Sequence, residues 1–166
     1  MSNAVEVADQ RFTVHDPAMP KVILLLLVFV AACGGSSSPG IEPADVLAML
    51  KQQGLPIGSS LAYTAETDRN NLLGKPGQYI AKITFADTRL VPASGDEFDV
   101  YNGGSIEFFA SEDDARNRAA SLTAVTSSIS VLAEYSYVEG KRLLRISTRL
   151  TPDQAKQYET AFKSLK

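Results

Sequence analysis

The sequence predicts an α+β fold: a single domain over residues 41–166 in which a mainly antiparallel sheet of about four strands carries helices on one face, in the order α-β-β-α-β-β-α. Three observations predict it. Segments of two-residue apolar alternation stand beside segments with a helical stripe. A glycine-centred hairpin joins two of the strands. Each helical segment is short and carries its own capping signals. No repeat and no second domain boundary interrupts the span.

The first helix is expected from Pro43 to Gln53. Pro43 suits the first turn, Val46, Met49 and Leu50 form an apolar stripe, and Gly54 can end the helix in the left-handed conformation, with Leu55 folding back on Leu50. A short strand is placed at Leu61 to Thr64, among turn formers that include Asn70-Asn71 and Gly74-Lys75-Pro76-Gly77. From Gln78 to Ala86 the alternation sets Tyr79, Ala81, Ile83 and Phe85 on one face and Gln78, Lys82 and Thr84 on the other. The next strand, Ser105 to Ala110, turns Ile106 and Phe108 inward and Glu107 outward. The intervening Asp87 to Gly103 is longer than an ordinary turn, and connections of that length more often carry function.

Ser111 opens a helix to about Ser127. Asp114 stands three residues after it in a capping pattern, acids fill the first turn, and Ala115, Ala119, Leu122 and Val125 fall at helical spacing. Strands at Ala133 to Val138 and Lys141 to Leu150 meet across Glu139-Gly140. A two-residue loop there would set Tyr135 against Leu144, Ala133 against Ile146 and Glu134 against Arg145. Thr151-Pro152-Asp153-Gln154 then starts a last helix running through Ala161, Phe162 and Leu165.

Composition excludes several function classes. The 166 residues hold 16 Lys plus Arg against 19 Asp plus Glu, a formal charge of -3, so there is no electrostatic reason to expect a nucleic-acid partner. One Cys and one His rule out an internal disulfide and any multi-Cys metal site. The motifs Ser-x-x-Lys, Gly-x-Ser-x-Gly, Gly-x-x-x-x-Gly-Lys and Gly-x-Gly-x-x-Gly do not occur.

The leading quarter reads as an address. Lys21 precedes the apolar run Val22 to Ala32, which as a helix would cover roughly 16 Å, about half of a ~30 Å hydrocarbon core. Gly34-Gly35-Ser36-Ser37-Ser38-Pro39-Gly40 follows as a polar tether. A basic residue, a short apolar core and small residues before a cut describe a secretory signal. The start of that signal stays open. Residues 1–20 carry Glu6, Asp9 and Asp16 against Arg11, whereas Met19-Pro20-Lys21 alone makes a compact basic n-region.

Val30-Ala31-Ala32-Cys33 resembles the lipobox of bacterial lipoproteins, a likeness confined to about Met19 to Ser38. The resemblance implies a diacylglyceryl group on Cys33, cleavage before Cys33, and a domain held by lipid at the extracytoplasmic face of the cell membrane. Two acyl chains on one glycerol hold stably where one binds marginally. The chain then divides into residues 1–32 (extension and signal), 33–40 (lipidated Cys and tether) and 41–166 (the α+β domain). His15 is discarded in that division and Cys33 is capped, so a Ser-His-Asp triad, a Cys-His pair and a His-ligated zinc are all missing partners.

The expected function is accordingly a non-catalytic binding or interaction domain, with no cofactor, no metal and no catalytic residue. Its partner is an envelope protein, a wall polymer or a small ligand. The candidate contact surface is Asp96, Glu97, Phe98, Asp99 and Tyr101 in the long loop. Tyr63, Phe98 and Tyr101 stand as aromatic anchors or as ordinary packing residues. Lys141, Leu143, Arg145, Ser147 and Arg149 form either a basic stripe or a solvated strand face paired with Glu134. Two alternatives remain open: a lipid-anchored hydrolase using carboxylates of the Asp96 loop and Glu107, and an inhibitor-like module that inserts the loop into an enzyme cleft. Asp68-Arg69-Asn70 begins like a calcium loop but lacks the later oxygen and glycine, and reads as a turn.

Overall fold

A computed structural model describes residues 41–93, 95–129 and 133–165. The signal segment, Cys33 and the tether lie outside the described residues. The elements are α1 (Pro43–Gln52), β1 (Ile57–Ala62), β2 (Tyr79–Asp87), a single 3-10 turn (Val100–Asn102), β3 (Gly103–Phe109), α2 (Glu112–Ser128), β4 (Glu134–Glu139), β5 (Arg142–Ser147) and α3 (Pro152–Ser164). The fold is α+β, with one antiparallel sheet of five strands in the order β1-β2-β3-β5-β4. Among the described residues no helix is long and apolar enough to cross a membrane.

The expected four strands become five. β1 begins at Ile57, earlier than the Leu61 placed from sequence, and pairs with β2 along the sheet edge through a register shift between Ile57 and Ser60. A bulged edge strand buries little, so Ile-Gly-Ser-Ser-Leu-Ala carries no clean alternation to read. β3 likewise starts two residues early, at Gly103. A Cβ there would meet the Phe85 carbonyl oxygen at 2.2 Å, and one on Gly104 would lie 2.7 Å from the Phe85 ring. The paired glycines let β2 and its aromatic ring close on β3.

The helix ends follow the capping chemistry. Ser111 Oγ accepts from the Asp114 amide at 3.1 Å, and Thr151 with Gln154 forms a reciprocal capping box before Pro152. Gly54 stops α1 at φ +85°, and the Leu55 amide reaches back to the Leu50 carbonyl.

Helices occupy both sheet faces, not one. On the first face Ile83, Phe85, Ile106, Leu144 and Ile146 pack with Val46, Leu47 and Leu50 of α1 and with Ala155, Tyr158, Ala161 and Phe162 of α3. α2 crosses the second face, where Ala115 joins Tyr79, Phe109 and Leu143, flanked by Ala119, Leu122, Leu72 and Leu73. Successive strand residues point to opposite faces, so adjacent Leu143 and Leu144 serve the two cores separately. α2 covers the second face as it carries the chain from β3 across β5 to the far edge strand β4.

A bulge in β2 corrects the expected alternation. Tyr79 pairs with Phe109 and Ala81 with Phe108, so the extra residue between them moves Tyr79 off the face of Ala81, Ile83 and Phe85 and onto the α2 side. The hairpin loop is Gly140-Lys141 with Gly140 at φ +54°, which pairs Tyr135 with Ile146 and Tyr137 with Leu144. That is two residues from the expected register. A shift of two preserves parity, so every hairpin side chain keeps its expected face.

Candidate functional site

The second sheet face is apolar only beneath α2. Its remainder, formed by β2, β3 and β5, presents Lys82, Thr84, Ser105, Glu107, Arg145 and Ser147, all buried. Register aligns them: Thr84, Ser105 and Arg145 are direct cross-strand partners, and Lys82 stands opposite Glu107. The segment between β1 and β2 and the loop before the 3-10 turn fold over this row. Together they leave a partly open cavity of about 180 Å³ lined by Tyr63, Arg69, Asn70, Lys82, Thr84, Asp96, Phe98, Asp99, Val100 and Arg145.

Arg145 organises the floor. Its Nε and Nη2 donate to the two carboxylate oxygens of Glu134, each at 2.7 Å, and Nη1 donates to Glu107 Oε1 at 2.8 Å. Arg118 of α2 supplies the other Glu107 oxygen at 3.2 Å. Burial works against the guanidinium charge of Arg145, yet the adjoining Glu107 and Glu134 hold its pKa above even the ordinary arginine range. The two carboxylates therefore lock the arginine cationic, in the two-pronged geometry that guanidinium groups favour.

Lys82 is held less tightly. Its Nζ donates to Asp68 Oδ1 at 3.5 Å, the outer limit of a hydrogen bond, and lies 4.4 Å from the centroid of the Tyr63 ring. Burial pushes the ammonium below its usual pKa, and Glu107 and Asp68 offset only part of that. Asp68 is itself saturated. It accepts the amides of Leu72 and Leu73 at 2.9 and 3.0 Å and the Tyr79 hydroxyl at 2.7 Å, and these bonds outweigh burial to hold its carboxyl below the ordinary range.

The loop wall is pinned from inside. Asn102 Oδ1 accepts the Ala93 amide at 3.0 Å and a guanidinium N–H of Arg149 at 3.1 Å, while its Nδ2 donates to the Asp96 carbonyl at 2.9 Å. Arg149 also donates to the Val91 carbonyl at 2.8 Å. Asp96 pairs with Arg69 at 2.9 Å across the cavity mouth.

The structure brings together three of the five loop residues singled out from sequence. Asp96, Phe98 and Asp99 line the cavity. Glu97 points elsewhere and accepts from Ser59 Oγ at 2.5 Å, and Tyr101 lies on the outside with Arg149 stacked 4.8 Å from its ring centroid. Of the aromatic anchors, Tyr63 and Phe98 are half-buried in the cavity wall.

Glu107 does not face solvent, as its alternation with Ile106 and Phe108 had implied. It is fully buried beneath two guanidinium groups. The solvated basic face expected on β5 is likewise interior at Arg145 and Leu143, although the pairing of Arg145 with Glu134 stands. Glu107 gives both oxygens to arginine, and Asp96 gives one to Arg69 and the other to the Phe98 amide, so neither presents a free carboxyl as acid or base. Among the described residues no three His, Cys, Asp or Glu side chains gather to hold a metal.

Lys82, Thr84 and Ser105 were not singled out, and Asp68 was read only as part of a turn. One signal for them was present: three strands each carry polar residues at alternate positions, Lys82 and Thr84, Ser105 and Glu107, Arg145 and Ser147. No family model, curated protein or solved structure matches the chain.

Proposed function

We propose that this chain is a lipid-anchored cell-envelope lipoprotein whose 41–166 domain is a non-catalytic module that binds a small ligand in the cavity over Lys82 and Arg145. The anchor half of the reading is supported by the residues before the domain: the apolar run Val22 to Ala32, the lipobox-like Val30-Ala31-Ala32-Cys33 and the glycine and serine tether. The tether holds a folded domain off the extracytoplasmic membrane surface without presenting a second apolar helix.

The binding half rests on a single observation: Asp96, Phe98 and Asp99 of the long loop lie over the polar row of the sheet and leave a partly open cavity there. That space favours a small ligand over a wall polymer or a whole envelope protein. The internal bonds of Asn102 and Arg149 lay the loop along the domain, which gives an inhibitor-like insertion into another protein's cleft little to work with. A hydrolase needs a pair of free carboxyl groups, and with those of Glu107 and Asp96 engaged Asp99 stands alone at the cavity.

Mass spectrometry of the protein purified from envelope membranes tests the anchor. The expected result is a chain beginning at Cys33 with a diacylglyceryl adduct, and a Cys33→Ala form released from the membrane fraction. A native chain that starts upstream of Cys33 with the thiol unmodified overturns the reading.

A further inference from the structure

Charge in the cavity floor is balanced, with Lys82, Arg145 and Arg118 against Asp68, Glu107 and Glu134. Hydrogen bonding is not. The Lys82 ammonium, with three N–H donors, makes one bond at 3.5 Å, to Asp68 Oδ1, which also accepts the Tyr79 hydroxyl at 2.9 Å. Thr84 Oγ1 has a single contact, also at 3.5 Å, to the Tyr63 hydroxyl. Ser105 Oγ, fully buried between Thr84 and Arg145 on the same sheet face, has no hydrogen-bond partner. A buried donor left unmade costs about 1–3 kcal/mol, so one such group is tolerable and a cluster calls for a partner. None of the three has an acceptor closer than 3.5 Å among the described residues, and two of them, Lys82 and Thr84, line the cavity.

The mouth has the opposite character. Asp99 is exposed, uses Oδ1 to cap the Tyr101 amide at 2.9 Å, and makes no ion pair among the described residues. Asp96 beside it is already paired with Arg69. Phe98 and Val100 supply apolar wall between floor and mouth. The volume of about 180 Å³ equals about six waters at ~30 Å³ each, room enough for a small amino acid such as alanine or serine.

We infer that the cavity takes a small free α-amino acid, its carboxylate directed to Lys82 and Thr84 of the floor and its ammonium to Asp99. The inference rests on the cavity being the binding site of the tethered module. A carboxylate supplies the acceptors the floor lacks, and the ammonium meets the one carboxylate at the mouth without a cationic partner. A dianion such as phosphate would satisfy the floor but be repelled by Asp96 and Asp99, and a simple amine would leave the floor donors unmade.

Isothermal titration calorimetry of the full chain in detergent micelles tests this with four probes: L-alanine, propionate, propylamine and inorganic phosphate. L-Alanine is expected to bind, propionate about ten-fold more weakly, and the other two not at all. Asp99→Asn, on the exposed rim, should reduce alanine to the level of propionate. Lys82→Met should weaken both acids by at least about ten-fold, and Thr84→Val carries the same arm if the lysine variant does not fold. Equal affinity for alanine and propionate, or an Asp99→Asn variant that still prefers alanine, overturns the amino-acid assignment. Binding of phosphate or propylamine with alanine silent overturns the ligand class and leaves the cavity as a binding site. Silence of all four probes overturns both.

Discussion

Arg145 and Glu107 form an ion pair across β3 and β5 at 2.8 Å, with the two side chains 9% and 0% exposed. In a protein interior the attraction within such a pair barely exceeds the cost of removing both charges from water, whereas breaking it strands a charge. Arg145 also carries Glu134, so its loss would leave Glu134 without its cation and Glu107 with Arg118 alone.

Arg145→Met is therefore expected to destabilise the domain by about 3–5 kcal/mol, read as a lowered midpoint in urea unfolding with an unchanged slope. The double variant Arg145→Met, Glu107→Gln should recover part of that loss. An Arg145→Met protein as stable as the parent would mean that the buried carboxylates do not depend on the guanidinium.

Asp87 gives the stability a pH dependence. It accepts from Arg89 Nη2 at 2.6 Å and from the Tyr158 hydroxyl at 2.7 Å, tying the end of β2 to α3. Burial alone would raise its pKa, but the bonds from the Arg89 side chain and backbone and from Tyr158 outweigh burial and hold it below the ordinary carboxylate range. A group whose pKa is depressed by folding contributes its full stability above the unfolded value, about 3.9, and loses it as pH falls through the folded value. Asp68 is depressed in the same direction. Stability measured by denaturant should thus fall on acidification from pH ~5 to ~2, and Asp87→Asn should flatten that fall. A variant with the parent's acid sensitivity would assign the effect elsewhere.

Tyr158 tests the same contact from α3. Its ring stacks on Phe85 with centroids 5.7 Å apart, and Tyr158→Phe keeps that stacking while removing the hydroxyl. The expected loss is about 1.5–3 kcal/mol at neutral pH, as for a hydrogen bond to a charged group, and less at acid pH where Asp87 is protonated. Equal losses at both pH values would place the cost in packing.

The close approach of β3 to β2 predicts intolerance at Gly104. Its added Cβ would lie 2.6 Å from the Arg145 carbonyl oxygen and 2.7 Å from the Phe85 ring, so Gly104→Ala should cost about 1–3 kcal/mol by overpacking. Thermal unfolding reads this directly, and an unchanged melting temperature would show that the strands can separate without penalty.

The apolar helix stripes differ in what they bury. Phe162 is fully buried in the first core, while Val125 on α2 is 54% exposed although the helical spacing places it on the apolar stripe. Phe162→Ala should cost about 3–5 kcal/mol and Val125→Ala under about 0.5 kcal/mol by urea unfolding. Similar costs would mean that α2 is covered at that end.

Local chemistry was legible wherever its causes lie within a few residues. The caps at Ser111 and Thr151, the stop at Gly54, the strand faces of the β4 and β5 hairpin and the extents of all three helices follow from hydrogen bonds and periodicities that a short window contains. Asp96, Phe98 and Asp99 were legible as candidates because a long connection rich in acids and aromatics has to go somewhere. Which side chains it would meet was a different matter. Period two states that Lys82 and Thr84 share a face, and likewise Ser105 with Glu107, but a polar face reads as solvated until something is known to cover it.

That cover is made by α2, the segment around Asp68 and the loop at Asp96, which come from three separate stretches of chain. Only the tertiary structure decided that β5 lies beside β3, that the β2 bulge turns Tyr79 toward Asp68, and that Arg145 and Glu107 pair in the interior. The sequence by itself determined the three helices, their caps and the faces of the β4 and β5 hairpin, because those depend on neighbours along the chain. Burial depends on neighbours across it, and the polar cavity exists only where distant segments meet.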